Sequence, residues 1–414
     1  MDTITHGIVG ALAGKAFFAG RDAPAKSGEG GFTRAESSPT ARAAIIACTL
    51  GAIFPDIDVV SGMVARNPLA IMEWHRNITH SAVMLPIWAL LLAGISLLLA
   101  RWVPWKRPSF LELTGIYAFA LATHVFLDGT TNFGTMVWSP LNYSRVAWDW
   151  LFILDFSFTG IALAPQLAAW CYRAPKQFGW RASVARIALT GGAVGVYAIA
   201  SAAGYGFPRW VVGVASALIA AVILFPAIEG RGFGWRRASW CRVGMAALCL
   251  YVALATAAHR KAVAYVDDYA ATRHLQVEKR GALPLPPTLT HWAGLLSTPQ
   301  GVWRITFRVP NGVPERAVLY ADAKADRYIE EAKKLRDVQT YLWFARFPVW
   351  HVERNREETV VEITDVRFFR EGQNDPERPG RVAGLRTNAR GFSFDVVFDG
   401  DGRVVSHGFT EDAP

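Results

Sequence analysis

Four histidines and a set of aspartates stand in the first third of the chain, at the ends of segments that are otherwise apolar. They are Asp2 and His6, Asp56 and Asp58 behind Pro55, then His75, Arg76, Thr79 and His80, and finally His124 and Asp128. Ionisable side chains are expensive at membrane depth and are kept there mainly for function. Neutral imidazoles and carboxylates gathered at one depth form the donor set of a metal site, and such a site can activate water for hydrolysis.

Each motif has a plainer alternative. His124 and Asp128 are four apart in an expected helix, so they share a face and can chelate one ion or span two. They could instead hydrogen-bond to each other inside a bundle. Asp2 and His6 repeat that spacing. Asp2 in a first helical turn is already explained by the helix dipole, which leaves His6 as the stronger ligand. Asp56 and Asp58 could be ordinary turn residues, or one could bind an ion while the other orients a histidine. His75 and His80 both reach a common site only if the chain between them is not a regular helix. Thr79 or Ser81 suits the N-cap of a helix beginning near 80. Arg76 fits a planar anion or a developing negative charge, or else a headgroup or carboxylate ion pair. Asp155, deep in an apolar stretch behind Trp148-Asp149-Trp150, needs a cation or a metal as partner. Taken together these residues favour the metal reading.

The elements that must position them are membrane helices. The chain is 52% hydrophobic and only 19% charged, below the usual quarter for a soluble domain. Apolar stretches of spanning length fall near 79–100, 110–127, 149–171, 184–205, 208–228 and 239–258, with shorter ones near 3–19 and 41–54. The expected fold is therefore an all-α polytopic membrane bundle of about eight helices over 1–260. A linker over 261–300, proline-rich from 281, and a small soluble α+β domain over 301–414 should follow. Strands are expected at 303–309, 359–369 and 392–398, and an amphipathic helix at 322–337. No basic n-region precedes the first apolar stretch, so no secretory signal is expected. Cys48, Cys171, Cys241 and Cys249 form no C-x-x-C pair and read as small apolar filler. His291, His351 and His407 read as packing or surface histidines.

The net charge of +9 becomes informative once located. Residues 260–414 hold 23 Lys and Arg against 22 Asp and Glu, so the excess lies in the apolar part. There the basic residues gather in alternate loops, Lys15 to Arg42, Arg101 to Arg107, Arg173 to Arg186 and Arg231 to Arg242. The positive-inside rule makes those loops cytoplasmic and puts the histidine–aspartate cluster and the C-terminal domain on the outer face. Topology accounts for the basic excess, and no nucleic-acid partner is expected.

Asp2-x-x-Thr5-His6, Pro55-Asp56-x-Asp58, His75-Arg76-x-x-Thr79-His80-Ser81, His124-x-x-Leu127-Asp128 and the later Asp155 resemble the LexA-regulated, membrane-bound, metal-dependent hydrolases of bacteria. The resemblance covers about residues 1–160. The order of residues is also similar to that of zinc-dependent phospholipases C and single-strand-specific zinc nucleases, although their second paired motif is missing here. The resemblance implies a metal-dependent hydrolase of the inner membrane. In this reading His6, Asp56, His75, His80, His124 and Asp128 bind one or two divalent ions, zinc by preference. Asp58 serves as general base and Arg76 stabilises the anion, while Asp2, Thr79 and Asp155 support the site. A lipid-like phosphoester in the surrounding membrane is the expected substrate; the C-terminal domain falls outside the resemblance, and the sequence names no protein partner for it. The alternative is a non-catalytic membrane protein, either an ion transporter or a metal-stabilised scaffold with a periplasmic interaction domain. One-sided placement of the cluster counts against a transporter.

Overall fold

The computed structural model describes residues 1–18, 39–60, 69–102, 108–202, 210–286, 288–323, 325–368 and 392–409. The chain divides into two units. The first is Met1–Asp58, Arg76–Trp148 and Ile153–Ala253; the second is Val59–His75, Asp149–Phe152 and Leu254–Pro414.

The first unit is helical. Its elements are α1 (Thr3–Ala13), α2 (Pro39–Ile53), α3 (Leu85–Leu99), α4 (Phe110–Gly129), α5 (Phe156–Cys171), α6 (Phe178–Ala202), α7 (Trp210–Leu224) and the first part of α8 (Arg237–Thr272). Asp2 caps α1 by accepting the Thr5 N–H at 2.9 Å. Ser109 and Glu112 cap α4 reciprocally. Such caps satisfy amide protons that have no partner within the helix.

Small residues then let the helices approach. A Cβ on Gly10 would lie 2.6 Å from the Ala52 Cβ and 2.8 Å from the Cys48 carbonyl oxygen. A Cβ on Gly51 would lie 2.9 Å from the Ala120 Cβ. Gly10 thus brings α1 onto α2, and Gly51 brings α2 onto α4, in the close-packed manner of membrane helices. Ala13, Ala44, Ala47, Cys48, Ala52 and Ala120 fill this core with short side chains. The same approaches bring His6, Asp56 and His124 towards one point.

About eight helices in or at a membrane were expected; a smaller number of the described helices is long and apolar enough to cross one. Among the described residues, Thr40–Val60, Phe110–Gly129 and Arg237–Thr272 are long and apolar enough to cross a membrane. Ala70–His80 with Leu85–Leu99 makes a fourth if the pair, bent by 75°, is one broken span. α5 is apolar but short at 16 residues.

The second unit carries two antiparallel four-stranded sheets, ordered β1-β2-β3-β4 and β5-β6-β7-β8. The strands are β1 (Lys279–Leu285), β2 (His291–Thr298), β3 (Gly301–Arg308), β4 (Pro314–Ala321), β5 (Pro348–Arg354), β6 (Glu358–Asp365), β7 (Ser393–Asp399) and β8 (Val404–Phe409). The stretch 281–300, expected as a linker, is mostly the β1–β2 hairpin. Its prolines misled because β1 is an edge strand, where a missing N–H is tolerated. The single helix expected over 322–337 is instead two, α9 (Arg327–Ala332) and α10 (Arg336–Phe344). His291 is buried against the Pro286 carbonyl, and His407 pairs with Asp337 at 3.3 Å.

One carboxyl in this unit is held protonated to an unusual degree. Glu362 on β6 is buried and stands directly opposite Asp395 on β7. Burial, then the Asp395 charge, pushes its pKa up to about 7. A carboxyl with a raised folded-state pKa stabilises the fold fully at acidic pH and loses that contribution as pH rises through about 4.5 to 7. The loss is on the order of 3 kcal/mol. Thermal unfolding of the full chain in detergent between pH 5 and 8 should show a steeper decline for wild type than for Glu362→Gln. Parallel curves would refute this.

Candidate metal centre

Two histidines face each other at the heart of the first unit. His124 sits on α4, one turn before Asp128, and His80 ends a short helical turn, Ile78–His80. Their Nε2 atoms are 3.0 Å apart. Asp56 Oδ1, from the turn in which Pro55 ends α2, lies 3.5 Å from each Nε2. Asp128 Oδ2 lies 3.1 Å from His80 Nε2 and 3.4 Å from His124 Nε2. One ligand atom from each of these four residues falls within 4.8 Å of all the others. Tetrahedral zinc ligands at about 2.0–2.1 Å stand roughly 3.3 Å from one another.

Proton placement strengthens this geometry. His124 Nδ1 lies 2.6 Å from the Ala52 carbonyl oxygen, which can only accept. His80 Nδ1 lies 3.2 Å from Asp58 Oδ2 and 3.0 Å from Thr79 Oγ1. Both Nδ1 atoms therefore carry the proton, and both Nε2 lone pairs point inward among carboxylate oxygens. Fixing the tautomer through the distant nitrogen is the usual arrangement of a ligating histidine. The result is a cluster of four acceptors. Asp56 Oδ2, Asp128 Oδ2 and His6 Nδ1 are also buried without an aligned hydrogen bond. A donor set of this kind fits a divalent cation of the zinc type.

Arg76 closes one side. It is 1% exposed, its Nε lies 3.1 Å from Asp128 Oδ2, and its Nη1 donates to Thr131 Oγ1 at 2.8 Å and to the Asp128 carbonyl at 3.2 Å. Phe133 lies beneath the guanidinium. The backbone of Arg76 has φ 61°, a left-handed conformation disfavoured for a bulky side chain. Two hydrogen bonds hold it there. Its N–H donates to Asp58 Oδ2 at 2.9 Å, and its carbonyl accepts the Met136 N–H at 2.9 Å. The N-terminal ammonium of Met1 also donates to Asp128 Oδ1.

The remaining expected residues are placed differently. His6 does not join the four; its Nε2 pairs with Asp128 Oδ1 at 3.0 Å and its ring stacks on His124. Asp58 accepts from the Arg76 N–H and the Thr79 hydroxyl besides His80, so it holds neighbours in place. His75 is half-buried and lies in the second unit, outside the four. Asp2 caps α1. Asp155 caps α5 and accepts from the Tyr251 hydroxyl at 3.0 Å, so its partners include a phenol from α8 where a cation or a metal was expected. The Ala52 carbonyl and Tyr251 carry no motif and were not anticipated, whereas Thr131 and Phe133 lie in the polar, turn-rich stretch 129–147, which suits the capping of a site.

Every residue of the four-membered group and its supports lies in the first half of the chain. Residues 1–203 match the YdjM inner membrane protein family. The YdjM match takes in α1 to α6 and the whole cluster, and it ends before α7, α8 and both sheets. Among curated proteins and among solved structures, nothing matches the chain.

Proposed function

We propose that the YdjM-matching part of this chain is a metal-dependent hydrolase of the inner membrane that holds one divalent ion, zinc by preference, between Asp56, His80, His124 and Asp128. The observation that carries the reading is the pair of inward Nε2 lone pairs, each fixed by an acceptor on its own Nδ1. Charge supports a bound cation. The Asp56, Asp58 and Asp128 carboxylates stand against the Arg76 guanidinium and the Met1 ammonium, and burying the surplus negative charge uncompensated is costly.

A divalent ion there supplies Lewis acidity, which acidifies water and polarises a phosphoryl oxygen. Asp58 orients His80, and Arg76 offsets Asp128. Asp56 Oδ2, which lacks an aligned partner, is the oxygen placed to take a proton; this role passes to it because Asp58 is engaged. The likeness to metal-dependent hydrolases, and more distantly to zinc phospholipases C, favours a lipid-like phosphoester drawn from the surrounding membrane. The alternating basic loops support an outward-facing site and C-terminal unit. A second reading is a metal-stabilised scaffold. It is favoured by the complete burial of His80, His124 and Asp128, since structural sites are closed and catalytic ones keep an open position.

The deciding experiment is hydrolysis of a phosphodiester such as bis(p-nitrophenyl) phosphate by purified, zinc-loaded protein. Turnover should fall at least 100-fold in Asp56→Asn. Bound metal without turnover in the wild type would leave the scaffold reading.

A further inference from the structure

The second unit contains a cleft of about 260 Å³ between the end of α8 and the sheet, lined by Tyr265, Asp268, Tyr269, Arg273, Ile305 and Phe307 among others. Tyr265, Asp268, Tyr269 and Thr272 recur at helical spacing on one face of α8. That helix runs 36 residues, or about 54 Å, against roughly 30 Å of hydrocarbon. Its apolar part ends near 258, so the turns lining the cleft project into water and the cleft faces soluble molecules.

The lining is chemically divided. Ile305, Phe307 and Val266 are buried and make an apolar floor. Arg273 is exposed and lies 4.7 Å over the Tyr269 ring. Asp268 is also exposed on the lining, and neither it nor Arg273 forms an ion pair among the described residues. The Tyr269 hydroxyl is buried with no hydrogen-bond partner although the residue is only 9% exposed. A buried hydroxyl left unmatched is destabilising. Gly312, with φ 66°, comes so close to Tyr265 that a Cβ there would lie 2.4 Å from its ring, which fixes one wall.

We infer that this cleft binds a small zwitterion of the amino-acid or dipeptide class with an apolar side chain. Arg273 would receive the carboxylate, Asp268 the ammonium, Ile305 and Phe307 the side chain, and the Tyr269 hydroxyl would find its acceptor. The volume lies below the range of roughly 300–1,000 Å³ typical of drug-sized ligands, as a ligand of that size requires.

The test is calorimetry and thermal shift on the full chain in detergent, with Ala-Phe as probe and N-acetyl-Ala-Phe-amide as its uncharged control. Ala-Phe should bind, the control should bind at least tenfold more weakly, and Arg273→Gln and Asp268→Asn should each weaken Ala-Phe at least tenfold. Tyr269→Phe should weaken binding while the free protein is at least as stable as wild type, an outcome that a purely structural tyrosine would not give. Failure of Ala-Phe to bind the folded wild type, or equal binding of the control, would overturn the inference. The metal centre stands or falls separately.

Discussion

Arg76→Ala should destabilise the helical unit by about 3–5 kcal/mol, the cost of removing one member of a buried ion pair. The guanidinium touches the Asp128 carboxylate, the Asp128 carbonyl and Thr131; its loss takes a buried cation from the carboxylate, while Thr131 keeps its own hydrogen bond to the Asp128 carbonyl. The loop after α4, whose Met136 N–H bonds to the Arg76 carbonyl, should loosen with it. Arg76→Gly provides an internal control. Glycine accepts φ 61° freely, so it should be less damaging than alanine by roughly 1 kcal/mol. Chemical unfolding in detergent, with limited proteolysis between 130 and 148, would measure both. If Arg76→Ala unfolded like wild type, the guanidinium would not be neutralising Asp128.

Asp58→Asn should weaken metal binding by 10–100-fold with little change in fold. Its carboxylate holds the His80 proton on Nδ1 and so keeps the Nε2 lone pair turned inward. An amide can present its NH2 to His80 instead, which reverses the tautomer. Competition with a chromogenic zinc chelator would read the change. An affinity equal to wild type would mean that Asp58 has no hold on the tautomer.

Much of the site could be read from the chain because its residues obey local rules. His124 and Asp128 share a helix face by spacing alone, and Pro55 announces the turn that presents Asp56. His80 was expected beside His75, yet the chain from Asn77 to His80 is a single tight turn that commits only His80. Asp2, read from its place at a helix start, does cap that helix, and Asp155, expected to need a cation or a metal, likewise precedes a helix and accepts one of its free amide protons. Tyr251, some ninety residues from Asp155, is a tertiary partner with no local trace. The strands β3, β6 and β7 followed from alternation, whereas β1 was hidden by edge-strand prolines. Among the described residues three helices, or four with the bent pair, are long and apolar enough to cross a membrane, and the expected number of about eight helices in or at the membrane is not confirmed.

The central claim is that four acceptors converge because a metal ion joins them. The competing cation is a proton: a second hydrogen on His80 Nε2 could hold Asp56 and Asp128 together without any metal. Elemental analysis of the full chain, purified in detergent without chelator, separates the two. One equivalent of divalent metal per chain is expected in the wild type and almost none in His124→Ala. Metal-free wild-type protein that does not take up zinc at micromolar concentration would contradict it.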